Sequence, residues 1–169
     1  MHHRQFTRTT LQLGFATYVA AAATAHACWE EAASRYQVSS KLLYAIARTE
    51  SALNPQAIGR NSNGTRDIGL MQINSAWLPT LSGFGISERD LYEPCTSIHV
   101  GAWILAGNIQ RLGYTWDAVG AYNTPNPKLA RTYIDKVRRH LHLERHHDQA
   151  PLHTPSVFTA RVSNAAASR

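Results

Sequence analysis

Glu50 lies in the stretch YAIARTESALNP, where the apolar residues Leu43, Ile46 and Leu53 are spaced three and then seven apart. It falls four residues after Ile46 and three before Leu53, the register that a helix turns toward its core. A carboxylate is seldom fully buried without a partner, so an acid on the inner face calls for a chemical reason. Seventeen residues further on stands a second acid, Asp67, and the run GLMQIN follows with Gln72 and Asn74 as polar side chains among apolar ones. Two carboxyl groups on facing walls of a cleft are the minimum equipment for cleaving a glycosidic bond. Among Met71, Tyr122 and aliphatic neighbours, the charged form of Glu50 would be disfavoured. It would then keep a proton for a leaving oxygen near neutral pH, while a less buried Asp67 stays ionised. Structural uses compete with this reading. Glu50 could pair with Arg48 or Arg66, Gln72 and Asn74 could satisfy hairpin backbone groups, and Tyr122 and Trp77 could be core aromatics.

The elements that must position these residues follow from caps and periodicity. CWEEAASRYQV is helix-compatible, and Ser39 or Ser40 can cap a second helix running to Leu53, where Asn54 and Pro55 stop it. Glu50 then sits in its last turn. From Ala57 to Asn74 the turn formers Gly59, Asn61, Asn63, Gly64 and Gly69 predict a small hairpin carrying Asp67. Ser87-Glu88-Arg89-Asp90 resembles a capping box, and Ile98, Ala102, Leu105, Ile109 and Leu112 repeat at helical spacing up to Gly113. A short helix around Trp116 to Tyr122 follows. Asn126 can cap, and Pro127 open, a last helix with Leu129, Tyr133, Val137 and Leu141 inward. The expected class is α+β, mostly helical, with one small hairpin.

A chain of 169 residues with 44% hydrophobic and 17% charged residues fits one globular domain. Arg4 and Arg8 precede the apolar stretch LQLGFATYVAAAATA, and Ala25 and Ala27 occupy the small-residue places of a cleavage site before Cys28. Residues 1–27 therefore read as a secretory signal peptide, the run being too short and too interrupted for a membrane anchor. Export to an oxidising periplasm lets the two cysteines, Cys28 and Cys95, pair. A lipidated Cys28 is the competing idea, and it would strand Cys95. The net charge of +6 is unevenly placed: 28–135 carries nine basic and nine acidic residues, whereas 136–169 carries six and two. The domain is neutral, and no nucleic-acid-binding signature accompanies the basic end. Residues 142–169, rich in Pro, Ser, Thr, Ala and His, are expected to form a disordered tail. His140, His142, His146 and His147 offer only unspecific metal affinity.

The segment ESALNPQAIGRNSNGTRDIGLMQINSAW resembles the active-site region of the lysozyme-like superfamily. The wider run 28–141 is similar to the specialised lytic transglycosylases of secretion, conjugation and pilus machines, because the Glu50-Ser51 pair, GLMQIN and AYN (Ala121 to Asn123) occur in order at suitable spacing. The resemblance implies a lysozyme-like domain acting as a monomer on the β-1,4 bond between N-acetylmuramic acid and N-acetylglucosamine of peptidoglycan, without metal or cofactor. It makes Glu50 the single acid/base, places Met71, Gln72 and Asn74 along the substrate, assigns Tyr122 and Asn123 to supporting the acid, and leaves Ser51 to fix the helix end. Two departures stand out. Thr124-Pro125 follows AYN where a small residue and glycine are usual, and Asp67 matches the second acid of animal-type lysozymes. A lysozyme-type hydrolase using Glu50 and Asp67, and a non-catalytic wall-binding module, are the rival readings.

Overall fold

The computed structural model describes residues 27–148. All of the expected signal peptide except residue 27, and the tail beyond Asp148, lie outside the described residues. Helix α1 covers 27–36, and α2, Ser40–Ser51, follows. Three short strands come next, β1 (Ile58–Arg60), β2 (Arg66–Ile68) and β3 (Ile73–Asn74), then a 3-10 turn at Ser75–Trp77 and the short helix α3 (Leu78–Ser82). A second 3-10 turn at Arg89–Tyr92 leads into α4 (Pro94–Leu112), α5 (Trp116–Asn123) and α6 (Pro127–Asp148).

Ser39 caps α2, its Oγ accepting from the Leu42 amide at 3.3 Å. The helix ends at Ser51, two residues before the expected stop at Leu53. Ala52 and Leu53 both take left-handed backbone angles, φ 52° and 67°, so the chain leaves the helix before Asn54 and Pro55 can act. Glu50 stays in the final turn. The Ser51 hydroxyl donates to the Leu70 carbonyl at 2.7 Å and ties that turn to the sheet region.

The expected hairpin is a three-stranded antiparallel sheet in the order β1-β2-β3, with Asp67 opposite Gly59 on one side and Asn74 on the other. The third strand exists because the chain reverses at Gly69–Gln72, with φ of 72° at Gly69 and 48° at Gln72. A Cβ at Gly69 would sit 2.1 Å from the Leu91 carbonyl oxygen, so only glycine fits there.

The Ser87-Asp90 box forms, with the Ser87 amide and hydroxyl donating to Asp90 Oδ2 at 2.8 and 2.6 Å. It opens the 3-10 turn rather than the central helix, which begins separately at Pro94 with Glu93 in the cap position. Gly113 ends α4 as expected. Cys28 and Cys95 form a disulfide with Cα atoms 5.4 Å apart, fastening α1 to the first turn of α4.

Leu43, Ile46, Ile68, Met71, Ile98, Leu105 and Val137 are fully buried and join α2, the sheet, α4 and α6 in one core. Each such side chain contributes about 1.5–3 kcal/mol on burial. Tyr133 and Val137 face inward as expected, but Leu129 is 58% and Leu112 45% exposed, because each lies at a helix end beyond the reach of a packing partner. Helix α6 continues past His142 to Asp148. Apolar periodicity marks where a helix stops burying a face, whereas Leu, Glu and Arg sustain helix without one.

Candidate active site

The Glu50 carboxyl accepts a hydrogen bond from the Tyr133 hydroxyl at 2.6 Å. This joins the last turn of α2 to the inner face of α6, two elements that pack along each other. Arg66 pairs instead with Glu88 at 2.6 Å and Arg48 is exposed, so the structural explanation of Glu50 as an ion-pair partner does not hold. Burial raises the Glu50 pKa from 4.5 to about 7, the Tyr133 hydrogen bond opposes the rise, the charge of Asp67 adds to it and Lys136 slightly opposes it. Such a carboxyl is protonated and ionised in comparable amounts at neutral pH, as an acid that later acts as a base requires.

Asp67 is held differently. Its Oδ2 accepts from the Asn61 side-chain amide at 2.9 Å and its Oδ1 from that of Asn74 at 2.7 Å. These two bonds fix the orientation of the carboxyl group. The same Asn74 amide donates to Thr65 Oγ1, and its oxygen accepts from the Ala76 amide. Asn74, expected along the substrate, is thus engaged in placing Asp67 and starting the 3-10 turn. Gln72 donates to the carbonyls of Ala57 and Gly69 at 3.2 and 2.9 Å, closing the reversal before β3. For Gln72 the backbone-satisfying role is the one observed, whereas the Asn74 amide positions Asp67.

Met71 is fully buried rather than on a cleft wall. Its amide donates to the buried Ser97 hydroxyl at 3.1 Å, and its carbonyl accepts from the Tyr122 hydroxyl at 2.9 Å. Both groups meet α4 at Gly101, where a Cβ would come within 2.7 Å of the Met71 methyl and 2.9 Å of the Tyr122 oxygen. Tyr122 therefore supports the acid indirectly, by fixing the turn that follows the sheet. Burial, and then the negative charges of Glu50 and Asp67, push its hydroxyl well above its usual pKa, so it remains a donor. Asn123 is exposed at the end of α5 and does not bond Glu50.

Tyr133 is the site residue that sequence reasoning missed in this role. Its signal is a hydroxyl in an inward series otherwise filled by Leu and Val, a polar handle that must find a partner. Because its bond favours ionised Glu50, Tyr133→Phe is expected to raise the Glu50 pKa. Activity that needs the protonated acid falls as pH rises through that pKa, near 7 in the native protein. The alkaline fall should therefore move to higher pH in the variant, as a pH–rate profile reads out. A uniform loss at every pH would give Tyr133 a packing role only.

Residues 27–138 match the transglycosylase SLT domain. The chain belongs to that family. Invasion protein IagB of Salmonella typhimurium (strain SL1344) is 47% identical over 115 residues, covering 65% of this chain and 72% of that protein. Protein IpgF of Shigella flexneri is 41% identical over 122 residues, covering 69% and 80%. An inactive glutamate-to-glutamine mutant of the lytic transglycosylase Slt from Pseudomonas aeruginosa matches with a TM-score of 0.59 at 23% identity, over 75% of this chain and 25% of that one, which is a likeness of fold. Family membership marks the chain as a peptidoglycan-cleaving transglycosylase, and the solved structure shares its mostly helical fold with a small sheet. The match ends at residue 138, inside α6.

Proposed function

We propose that the protein is exported to the periplasm and cleaves the β-1,4 bond between N-acetylmuramic acid and N-acetylglucosamine, closing a 1,6-anhydro ring on the muramyl end. The observation that carries this reading is the single carboxyl of Glu50, half-buried, bonded by Tyr133 and titrating near neutrality. Glu50 gives its proton to the glycosidic oxygen as the bond to the anomeric carbon breaks. The resulting carboxylate takes the proton of the muramyl 6-hydroxyl, whose oxygen bonds the same carbon. No water is consumed, and Glu50 ends protonated as it began. Asp67, fixed by Asn61 and Asn74, stabilises the positive charge developing on the sugar.

The Cys28–Cys95 disulfide suits an oxidising compartment and supports the export reading. The inferred role is local opening of the wall for an envelope-spanning secretion, conjugation or pilus apparatus. A relative named as an invasion protein supports that context. Asp67 also favours a second reading, in which it serves a lysozyme-type hydrolase and water completes the reaction. Asp67→Asn separates the two. On the proposed mechanism it slows turnover about 10²-fold and leaves the anhydro product unchanged. A variant that releases a different product from the wild type would give Asp67 a part in choosing the acceptor and would favour the hydrolase.

A further inference from the structure

Away from Glu50, two adjoining cavities of about 710 and 390 Å³ run between α1 and α4. They share Arg35, Tyr36 and Trp103, so they form one trough, reaching along α4 from Cys95 to Gln110. At the helical rise of 1.5 Å per residue that is roughly 22 Å, a length suited to an extended polymer rather than a compact small molecule. Aromatic rings line it. Trp103 meets Trp77 at 5.2 Å and Phe84 at 6.4 Å between ring centroids, both edge-on, so neither neighbour lies flat over it. Phe84 is 71% exposed. Tyr36 packs edge-on against His99 at 6.0 Å, and His99 lies 3.8 Å from the Glu31 carboxylate. The guanidinium of Arg35 lies 5.8 Å over the Tyr36 ring. At Gly107 an added Cβ would meet nothing within 4 Å, so the trough stands open above α4.

We propose that this trough binds a distal stretch of the glycan strand, as a chain of β-1,4-linked N-acetylated sugars; the link to cleavage rests on the function proposed above. Aromatic faces suit the C–H faces of pyranose rings, and Glu31, Arg35, Gln37 and Gln110 offer donors and acceptors to hydroxyl and acetamido groups. The lining holds no cluster of lysines or arginines, Arg35 being matched by Glu31, so it lacks the excess positive charge that a nucleic acid or an anionic lipid surface requires. The trough is also joined to the catalytic region. Trp77, which holds the edge of Trp103, ends the 3-10 turn that Asn74 caps, and Asn74 places Asp67.

The test uses the protein carrying Glu50→Gln and a hexamer of N-acetylglucosamine as probe, followed by NMR, together with retention on long glycan strands stripped of their peptides. The hexamer is expected to shift the indole resonance of Trp103 and the amide of Gly107. Gly107→Trp, which fills the trough, should abolish the shift of the Trp103 indole and weaken strand retention about tenfold, whereas Gly107→Ala, which leaves it open, should retain both. If Gly107→Trp fails to fold, Arg35→Ala on the exposed face of α1 should produce the same weakening. Unmoved resonances, undiminished retention by the filled variant, or retention only of strands still bearing peptides would overturn the proposal, the last by making the peptide the occupant. An inactive wild type whose trough resonances still move would remove the proposed cleavage and leave the binding site standing.

Discussion

Glu50→Gln is expected to abolish turnover while leaving the fold intact. The amide keeps the shape and can still accept from Tyr133, but it has no carboxyl proton to give and no anion to take one back. General acid–base catalysis is typically worth about 10² to 10⁴ in rate, and one group serving both roles places the loss near the upper end. The same substitution has a stability signature of opposite sign. A carboxyl raised from 4.5 to about 7 on folding binds its proton more tightly in the native state, so native stability falls as pH rises from 4.5 to 7 and stays lower above that. At 1.36 kcal/mol per pH unit the penalty reaches about 3 kcal/mol. Glutamine does not ionise, so the variant should unfold at a higher temperature than the wild type at pH 8, with the advantage gone near pH 4. Thermal unfolding at the two pH values, beside a turnover assay, reads both effects. A folded variant with wild-type activity would remove Glu50 from the mechanism, and no stability gain at pH 8 would mean that Glu50 is not held in a desolvated site.

The second large effect belongs to the disulfide. Cys28 and Cys95 are separated by 67 residues, and cross-linking a loop of that length stabilises the native state by about 4 kcal/mol in the chain-entropy model. Replacing both cysteines by serine, or unfolding under reductant, should lower Tm by about 15 °C, with α1 the first element to loosen because the bridge fastens it to α4. Thermal melts followed by circular dichroism decide this. An unchanged Tm, or two titratable thiols in the untreated protein, would contradict it.

The placing of Glu50 was legible because apolar spacing along one helix states which side chains face inward, and Glu50 shares the register of Ile46. The same logic placed Tyr133 inward but could not name its partner, since the meeting of α2 with α6 across 83 residues is a tertiary fact. Asp67 was read onto a hairpin, yet the strand that fixes its second oxygen has only two residues, below the length at which alternation can be seen. Met71 and Gln72 show the limit of reading roles from a motif. The run GLMQIN is kept in shape by the left-handed backbone at Gly69 and Gln72 and by a glycine on α4, Gly101, which lets Met71 sink into the core. What looks like a substrate-lining series is largely the scaffold that holds the two acids. The early end of α2 at Ser51 escaped because left-handed Ala52 and Leu53 carry no local signature, neither being glycine nor asparagine.

The most direct test of the central claim is mass spectrometry of the fragments that the wild-type protein releases from purified peptidoglycan. Transfer to the muramyl 6-hydroxyl, with Glu50 as both acid and base, predicts fragments ending in 1,6-anhydro-muramyl residues, lighter than their hydrated counterparts by the mass of one water. Predominantly hydrated fragments with reducing ends would contradict the account and make the enzyme a hydrolase in which Asp67 and water complete the reaction.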